Sequence, residues 1–228
     1  MRKTVQIQSR IKKEFPDLNI SEEKISLIDQ YLNMLSHWNS KINLTAIRDI
    51  NQMITKHILD SLAVYKTPFN KYPDSLFKGK ILDVGSGAGI PGIILSICDP
   101  TLEISSIDKA KKKIMFQDHV KSHLGLKKFL PIDDRLENLS KKSDHVQSYD
   151  FIISRAFDQI KGLLNFGDIF LKSGGHLVLW KGKKWREEME DVPSNTLKKF
   201  CLKSTTDYLF QEENHGGTIV IFQKIDAV

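Results

Sequence analysis

The segment Ile81-Leu82-Asp83-Val84-Gly85-Ser86-Gly87-Ala88-Gly89-Ile90-Pro91-Gly92 constrains the fold more than any other: an apolar run meets a glycine-rich turn and then an apolar helical stretch. Glycines let the backbone turn sharply and approach a ligand, and the helix behind them offers unpaired N–H groups. From Lys80 onward, β-branched runs at 80–84, 103–107, 129–132, 149–154 and 176–180 alternate with helical stretches. That alternation predicts βαβ units and a parallel sheet. Segments 202–210 and 218–224 flank the turn-like Glu213-Asn214-His215-Gly216-Gly217 with no room for a helix, so they should pair as an antiparallel hairpin. The expected fold is α/β and Rossmann-like: a mostly parallel seven-stranded sheet ending in that hairpin.

Ahead of the sheet, Ile25, Ile28, Leu32, Leu35 and Trp38 recur at spacings of three and four behind Ser21, which predicts a helix capped by that serine. A second helix is expected over about 50–66, ending before Pro68. Residues 1–75 therefore read as a helical N-terminal extension and 76–228 as the sheet domain, linked through 70–79. No apolar run approaches the roughly 20 residues of a membrane span, and the first residues lack the apolar segment of a signal peptide. Cys98 and Cys201 have neither metal-ligand spacing nor a disulfide framework, so the expectation is a cytoplasmic protein without a metal. A net charge of +6 favours a polyanionic partner. Part of the excess is local, in Arg2, Lys3, Arg10, Lys12 and Lys13, in Lys109 with Lys111 to Lys113, and in Lys181, Lys183, Lys184 and Arg186. Each group alone also reads as a solvated face.

Asp108 follows the glycine loop by about 20 residues, the separation at which an acid at the end of the second strand reaches a ribose diol. A nicotinamide dinucleotide would use the same geometry, but its third glycine belongs at position 90, where this chain has Ile90 and places Gly89 one residue early. Asp83 would also face a pyrophosphate, whereas S-adenosylmethionine has no phosphate and carries a sulfonium and an ammonium. The acidic strand end suits the cationic ligand. Two plainer readings stay open: Asp83 capping the glycine loop, and Asp108 capping the following helix. Asp133, Asp134 and Glu137, after the third strand, are candidates for adenine contact or acids of a first helical turn.

Several separated segments carry a resemblance: Trp38-Asn39, Asn43-Leu44-Thr45-Ala46-Ile47-Arg48-Asp49, His57-Ile58-Leu59-Asp60-Ser61, Asp83 to Gly92, Ile153-Ser154-Arg155-Ala156-Phe157 and Lys181-Gly182. Over roughly residues 30–185 the chain resembles the bacterial 16S ribosomal RNA guanine-N7 methyltransferase G family, also called glucose-inhibited division protein B. The resemblance implies a class I methyltransferase fold, S-adenosylmethionine as cofactor, and 16S ribosomal RNA or the small subunit as partner of a monomer. It implies that Gly85 and Ile90 line the methionine and adenosine ends of the cofactor, with Gly87 and Gly89 in the same loop. It further implies that Leu136 and Glu137 flank the adenine and that Arg155 stands at the mouth of the site as its catalytic residue.

The residues agree in lacking other catalytic groups. The Asn/Asp-Pro-Pro-aromatic box of amine methylation is replaced by Ser154-Arg155-Ala156-Phe157, and neither cysteine is placed as a nucleophile for carbon methylation. Guanine N7 has an in-plane lone pair and loses no proton on methylation, so positioning and electrostatics suffice. Arg155 would donate to guanine O6 or a phosphate, or else pair with a carboxylate such as Asp150. His57 and Asp60, one helical turn apart, read as a structural pair. Asn43, Thr45 and Arg48 would either cap the second helix or touch RNA, and Phe157 would either stack on a base or join the core. Rivals to this reading are a methyltransferase for another RNA or a small molecule, an RNA-binding module of the same fold, and an NAD-dependent oxidoreductase.

Overall fold

Ser21 accepts a hydrogen bond from the Lys24 amide and starts α2 (Glu22–Asn39). The stripe Ile25, Ile28, Leu32 and Leu35 is 0–3% exposed. At about 1.5–3 kcal/mol per buried aliphatic side chain, this face contributes about 6–12 kcal/mol before the cost of ordering. In the computed structural model, which describes residues 3–68 and 77–225, α2 follows α1 (Lys3–Glu14). The helix expected over 50–66 is present but irregular. It opens as α3 (Ile50–Met53), widens to a π turn at Ile54–Leu59, continues as α4 (Asp60–Leu62) and closes in a 3-10 turn, Ala63–Lys66. Its N-cap is Asp49, which accepts from the Gln52 amide at 2.9 Å, and not Asn43, Thr45 or Arg48. Residues 70–76 of the expected linker, and with them the 75/76 boundary, lie outside the described residues.

The remaining elements alternate as the β-branched runs require: β1 (Lys80–Val84), α5 (Gly92–Cys98), β2 (Glu103–Asp108), α6 (Lys111–Leu124), β3 (Phe129–Asp133), α7 (Leu136–Leu139), β4 (Tyr149–Arg155), α8 (Ile160–Phe170) and β5 (Leu171–Lys181). Two short helices, α9 (Trp185–Glu190) and α10 (Ser194–Leu197), precede the hairpin β6 (Phe200–Phe210) and β7 (His215–Lys224). The seven-stranded sheet has the order β3-β2-β1-β4-β5-β7-β6, parallel from β3 to β5, with β7 antiparallel to both neighbours. The hairpin turn is earlier than its glycines suggest. Asn214 takes the left-handed conformation (φ 46°), while Gly216 and Gly217 lie inside β7 opposite Leu209 and Tyr208. A Cβ on Gly216 would lie 2.2 Å from the Tyr208 carbonyl, so these glycines serve close strand packing.

Alternate side chains of each strand enter opposite layers. Ile81, Ile104 and Ile153 join one core with α1, α2, α5 and α6, while Leu82, Val84 and Ile152 join another with α7 and α8. The N-terminal helices thus share a core with the sheet. Their α1 is also tied to the hairpin turn, where Arg10 bonds Glu213 and Lys13 bonds Glu212.

Candidate active site

The end of β1 and the glycine loop are held by their own backbone. The Gly85 and Ser86 amides donate to the Ile107 carbonyl at 3.0 and 3.2 Å, so the loop folds back over the end of β2. Gly85, Gly87 and Gly89 have φ of +67°, +59° and +79°, a region that disfavours any side chain. Asp83 points into the layer shared with α5 and is fully buried. Its Oδ2 accepts from the Gly92 amide at 3.0 Å, and its Oδ1 is buried without a hydrogen-bond partner among the described residues. Burial pushes this carboxyl up to about 7, against the opposing pull of the Gly92 amide and the Arg155 guanidinium. Asp83 therefore caps the last amide of the glycine loop, which is also the first of α5, and its other oxygen accepts nothing among the described residues.

Asp108 also serves two elements. Its Oδ2 accepts from the Gly87 amide at 2.9 Å and its Oδ1 from the Ala110 amide at 2.8 Å, just before α6, with the Lys113 ammonium 3.6 Å away. Gln117 clamps the loop from below, donating to the Ser86 hydroxyl and the Gly87 carbonyl and accepting from Ser106. The sequence does carry a signal for it: a glutamine on the face of α6 where Ile114, Val120 and Leu124 are otherwise apolar.

A cavity of about 330 Å³ opens at the carboxyl ends of these strands. It brings together Gly85, Asp108, Asp134, Leu136, Glu137 and Phe157 from the candidates, and adds Ile107, Lys109, Lys113, Arg135 and Ala156, while Asp133 lies outside this lining. Gly87, Gly89 and Ile90 lie outside this lining, and Ile90 is 5% exposed in the core beneath the loop. Asp134 is already satisfied by the Lys142 ammonium, the Asn138 amide and the Arg135 backbone, which hold its carboxyl well below the usual range. Phe157 is 42% exposed and packs on the loop, so close that a Cβ on Gly85 would meet its ring at 2.0 Å. It is a wall of the cavity and not a core residue.

A family model described as rRNA small subunit methyltransferase G matches residues 24–215. Relatives named ribosomal RNA small subunit methyltransferase G include one from Marinomonas sp., 38% identical over 76% of this chain and 78% of its own. Another, from Francisella tularensis subsp. tularensis, is 34% identical over 96% of this chain and 98% of its own. The chain belongs to the rRNA small subunit methyltransferase G family. Among solved structures, the fold of this family member is similar to TYW2 from P. horikoshii in complex with MeSAdo (TM-score 0.53, 10% identity, 74% of this chain and 62% of that one). It is similar also to TrmN from Thermus thermophilus (TM-score 0.52, 16% identity, 72% and 48%).

Two segments of the family resemblance meet in space. Arg155 ends β4, but its guanidinium lies outside the cavity lining and reaches Asp60 at 2.8 Å and the Lys56 carbonyl. Asp150 pairs with Lys172 instead. His57 does not bond Asp60 as their spacing suggests. Its Nε2 lies 3.2 Å from the Thr45 hydroxyl, and burial with the nearby Arg155 charge pulls the imidazole down to about 4.

Cys98 is buried at the end of α5, which pushes its thiol up to about 12, an environment opposed to a thiolate nucleophile. Of the basic groups, Lys3, Arg10 and Lys13 are paired with carboxylates, and Lys181 is held by Glu188 and the Asp158 carbonyl. Lys183, Lys184 and Arg186 are exposed, with Arg186 stacked on Trp185. Among the described residues, no group of three or more His, Cys, Asp or Glu could hold a metal ion, and no helix is long and apolar enough to cross a membrane.

Proposed function

We propose that this chain transfers a methyl group from S-adenosylmethionine to N7 of a guanine in 16S ribosomal RNA, in the cytoplasm and as a monomer, with the 1–75 extension and the 76–228 domain acting as one unit. The observation that carries the cofactor half of this reading is the Oδ1 of fully buried Asp83, without a hydrogen-bond partner among the described residues, beneath a glycine loop whose Gly85 lines a cavity of mixed charge. A cationic group fits beside the Asp83 carboxylate, and an anionic phosphate does not. S-adenosylmethionine, when bound, supplies an electrophilic methyl group on its sulfonium.

The chain's residues then bind and orient. An ionised carboxylate offers about four acceptor sites, so Asp108 can hold the Gly87 and Ala110 amides and still accept from a ribose diol. Leu136 offers an apolar face to adenine and Glu137 an acceptor beside it, while Gly85, Gly87 and Gly89 let the backbone approach the methionine end, with Ile90 supporting the loop from the core. Lys109, Lys113 and Arg135 would draw RNA phosphates toward the mouth. Methylation at N7 releases no proton, so the reaction asks the residues to position and stabilise and needs no general base. Arg155 would orient the guanine through O6 or an adjacent phosphate.

The test is transfer of labelled methyl to 16S RNA or small subunits from cells lacking this activity, followed by nuclease digestion and mass spectrometry. The expected product is 7-methylguanosine. A product methylated on an exocyclic amine, or no transfer to RNA at all, overturns the proposal.

A further inference from the structure

Asp60 lies in the helical region, yet it joins four other parts of the chain. It is 4% exposed, and its Oδ2 accepts from Arg155 at 2.8 Å. Its Oδ1 accepts from the Tyr208 hydroxyl at 2.6 Å and faces His215 Nε2 at 2.9 Å, and its main-chain oxygen accepts from the Trp180 indole at 2.7 Å. Arg155 and Trp180 are register partners at the ends of β4 and β5, and Trp180 is opposite Ile219 in β7. One buried carboxylate therefore sits where β4, β5 and both hairpin strands end. A buried charge of this kind persists only if paired and hydrogen-bonded, and Asp60 has both kinds of partner.

We infer that Asp60 is the positioning residue for Arg155, an inference that rests on the proposed methyl transfer and on Arg155 meeting the RNA. Asp60 touches no substrate. Both hydrogen bonds of the guanidinium use Nη1, one to Asp60 and one to the Lys56 carbonyl, while Nε and Nη2 make none among the described residues. Two acceptors on one nitrogen fix the plane of the rigid fork and leave its other donors in a single orientation. The residues directly after Arg155, Ala156 and Phe157, line the cavity, so that orientation is set at its edge. Tyr208 and His215 hold the other carboxylate oxygen and keep Asp60 from following the arginine when it moves.

The experiment combines nitrogen NMR of arginine-labelled protein with saturated single-turnover methyl transfer. In the parent, the Arg155 guanidinium, assigned by its loss in Arg155→Lys, should show restricted rotation with separate Nη signals. Asp60→Asn should merge them and slow saturated transfer at least tenfold, while S-adenosylmethionine affinity stays within twofold. Tyr208→Phe removes a donor from Oδ1 only, so it should lower thermal stability but leave the saturated rate within threefold. Adding Asp60→Asn to Arg155→Ala should cost no further rate. A single averaged Arg155 signal in the parent overturns the inference whether or not the variants fold. So does an Asp60→Asn protein with parental rate, or a Tyr208→Phe protein slowed as much as Asp60→Asn. If the parent transfers no methyl to RNA, the proposed function fails, and the NMR comparison still decides whether Asp60 fixes Arg155.

Discussion

Binding of S-adenosylmethionine should release a proton from Asp83, in an amount set by its burial. With its carboxyl near 7, Asp83 is half protonated at pH 7 in the free protein. A cation close to a carboxylate lowers its pKa by about 1–3, so a bound value of about 5 is the natural expectation. The release then comes to about 0.8 protons per ligand at pH 6, about 0.5 at pH 7 and about 0.1 at pH 8. Calorimetric titration in buffers of different ionisation enthalpy reads this number directly, and Asp83→Asn should abolish it. The free protein offers an independent check. Because the folded value lies above the ordinary aspartate value of about 3.8, the contribution to stability is fully present below about 3.8 and lost as pH rises through about 7. The whole change corresponds to about 4 kcal/mol, and its slope should vanish in Asp83→Asn. Ligand binding without proton release at pH 6, or equal release from the variant, would refute the placement of the cation near this carboxylate.

Asp108→Ala should weaken S-adenosylmethionine binding at least tenfold, since charge-assisted hydrogen bonds contribute about 1.5–3 kcal/mol, and calorimetric affinity equal to the parent's would remove Asp108 from the ribose. Replacing Lys183, Lys184 and Arg186 by alanine should flatten the log–log salt dependence of RNA affinity by about 0.7–0.9 per lost phosphate contact, measured by titrating RNA binding at several salt concentrations. Lys181→Ala should instead lower thermal stability, because its ammonium is held by Glu188 and the Asp158 carbonyl. Saturated single-turnover transfer should be nearly flat from about pH 6 to 9, because His57, pulled down to about 4, is already neutral there. A rate that falls tenfold per pH unit below about 6.5 would show that a base is required.

Features governed by neighbouring residues were legible without coordinates. Glycines at positive φ, the Ser21 cap, the apolar stripe of α2 and the β-branched strands each depend on a few adjacent positions, and the structure has them where the pattern puts them. Asp108 reaches the cavity because strand ends and glycine loops are coupled by a short connection. What escaped reading depends on tertiary approach. No period in the chain joins Arg155 to Asp60, 95 residues earlier, and the i+3 spacing of His57 and Asp60 suggested a contact that Thr45 takes instead. The basic N-terminal stretch looked like a free cationic face because Glu212 and Glu213, which neutralise Arg10 and Lys13, are about 200 residues away. Phe157 escaped for a similar reason: whether an aromatic at a strand end is covered depends on what the loop opposite leaves open, and Gly85 leaves room for a ring.

The latch between α1 and the hairpin turn gives assembly a direction in time. As the chain is synthesised, Arg10, Asp60 and Thr55, whose hydroxyl accepts from Arg10 and donates to Glu213, are all made long before Tyr208, Glu212, Glu213 and His215 arrive to complete their bonds. Until then Arg10 has the Asn51 carbonyl and the Thr55 hydroxyl but no carboxylate, and Asp60 has Arg155 but neither donor to its Oδ1, so water must complete both sets of bonds. Nascent chains stopped short of residue 208 should therefore leave this polar seam hydrated.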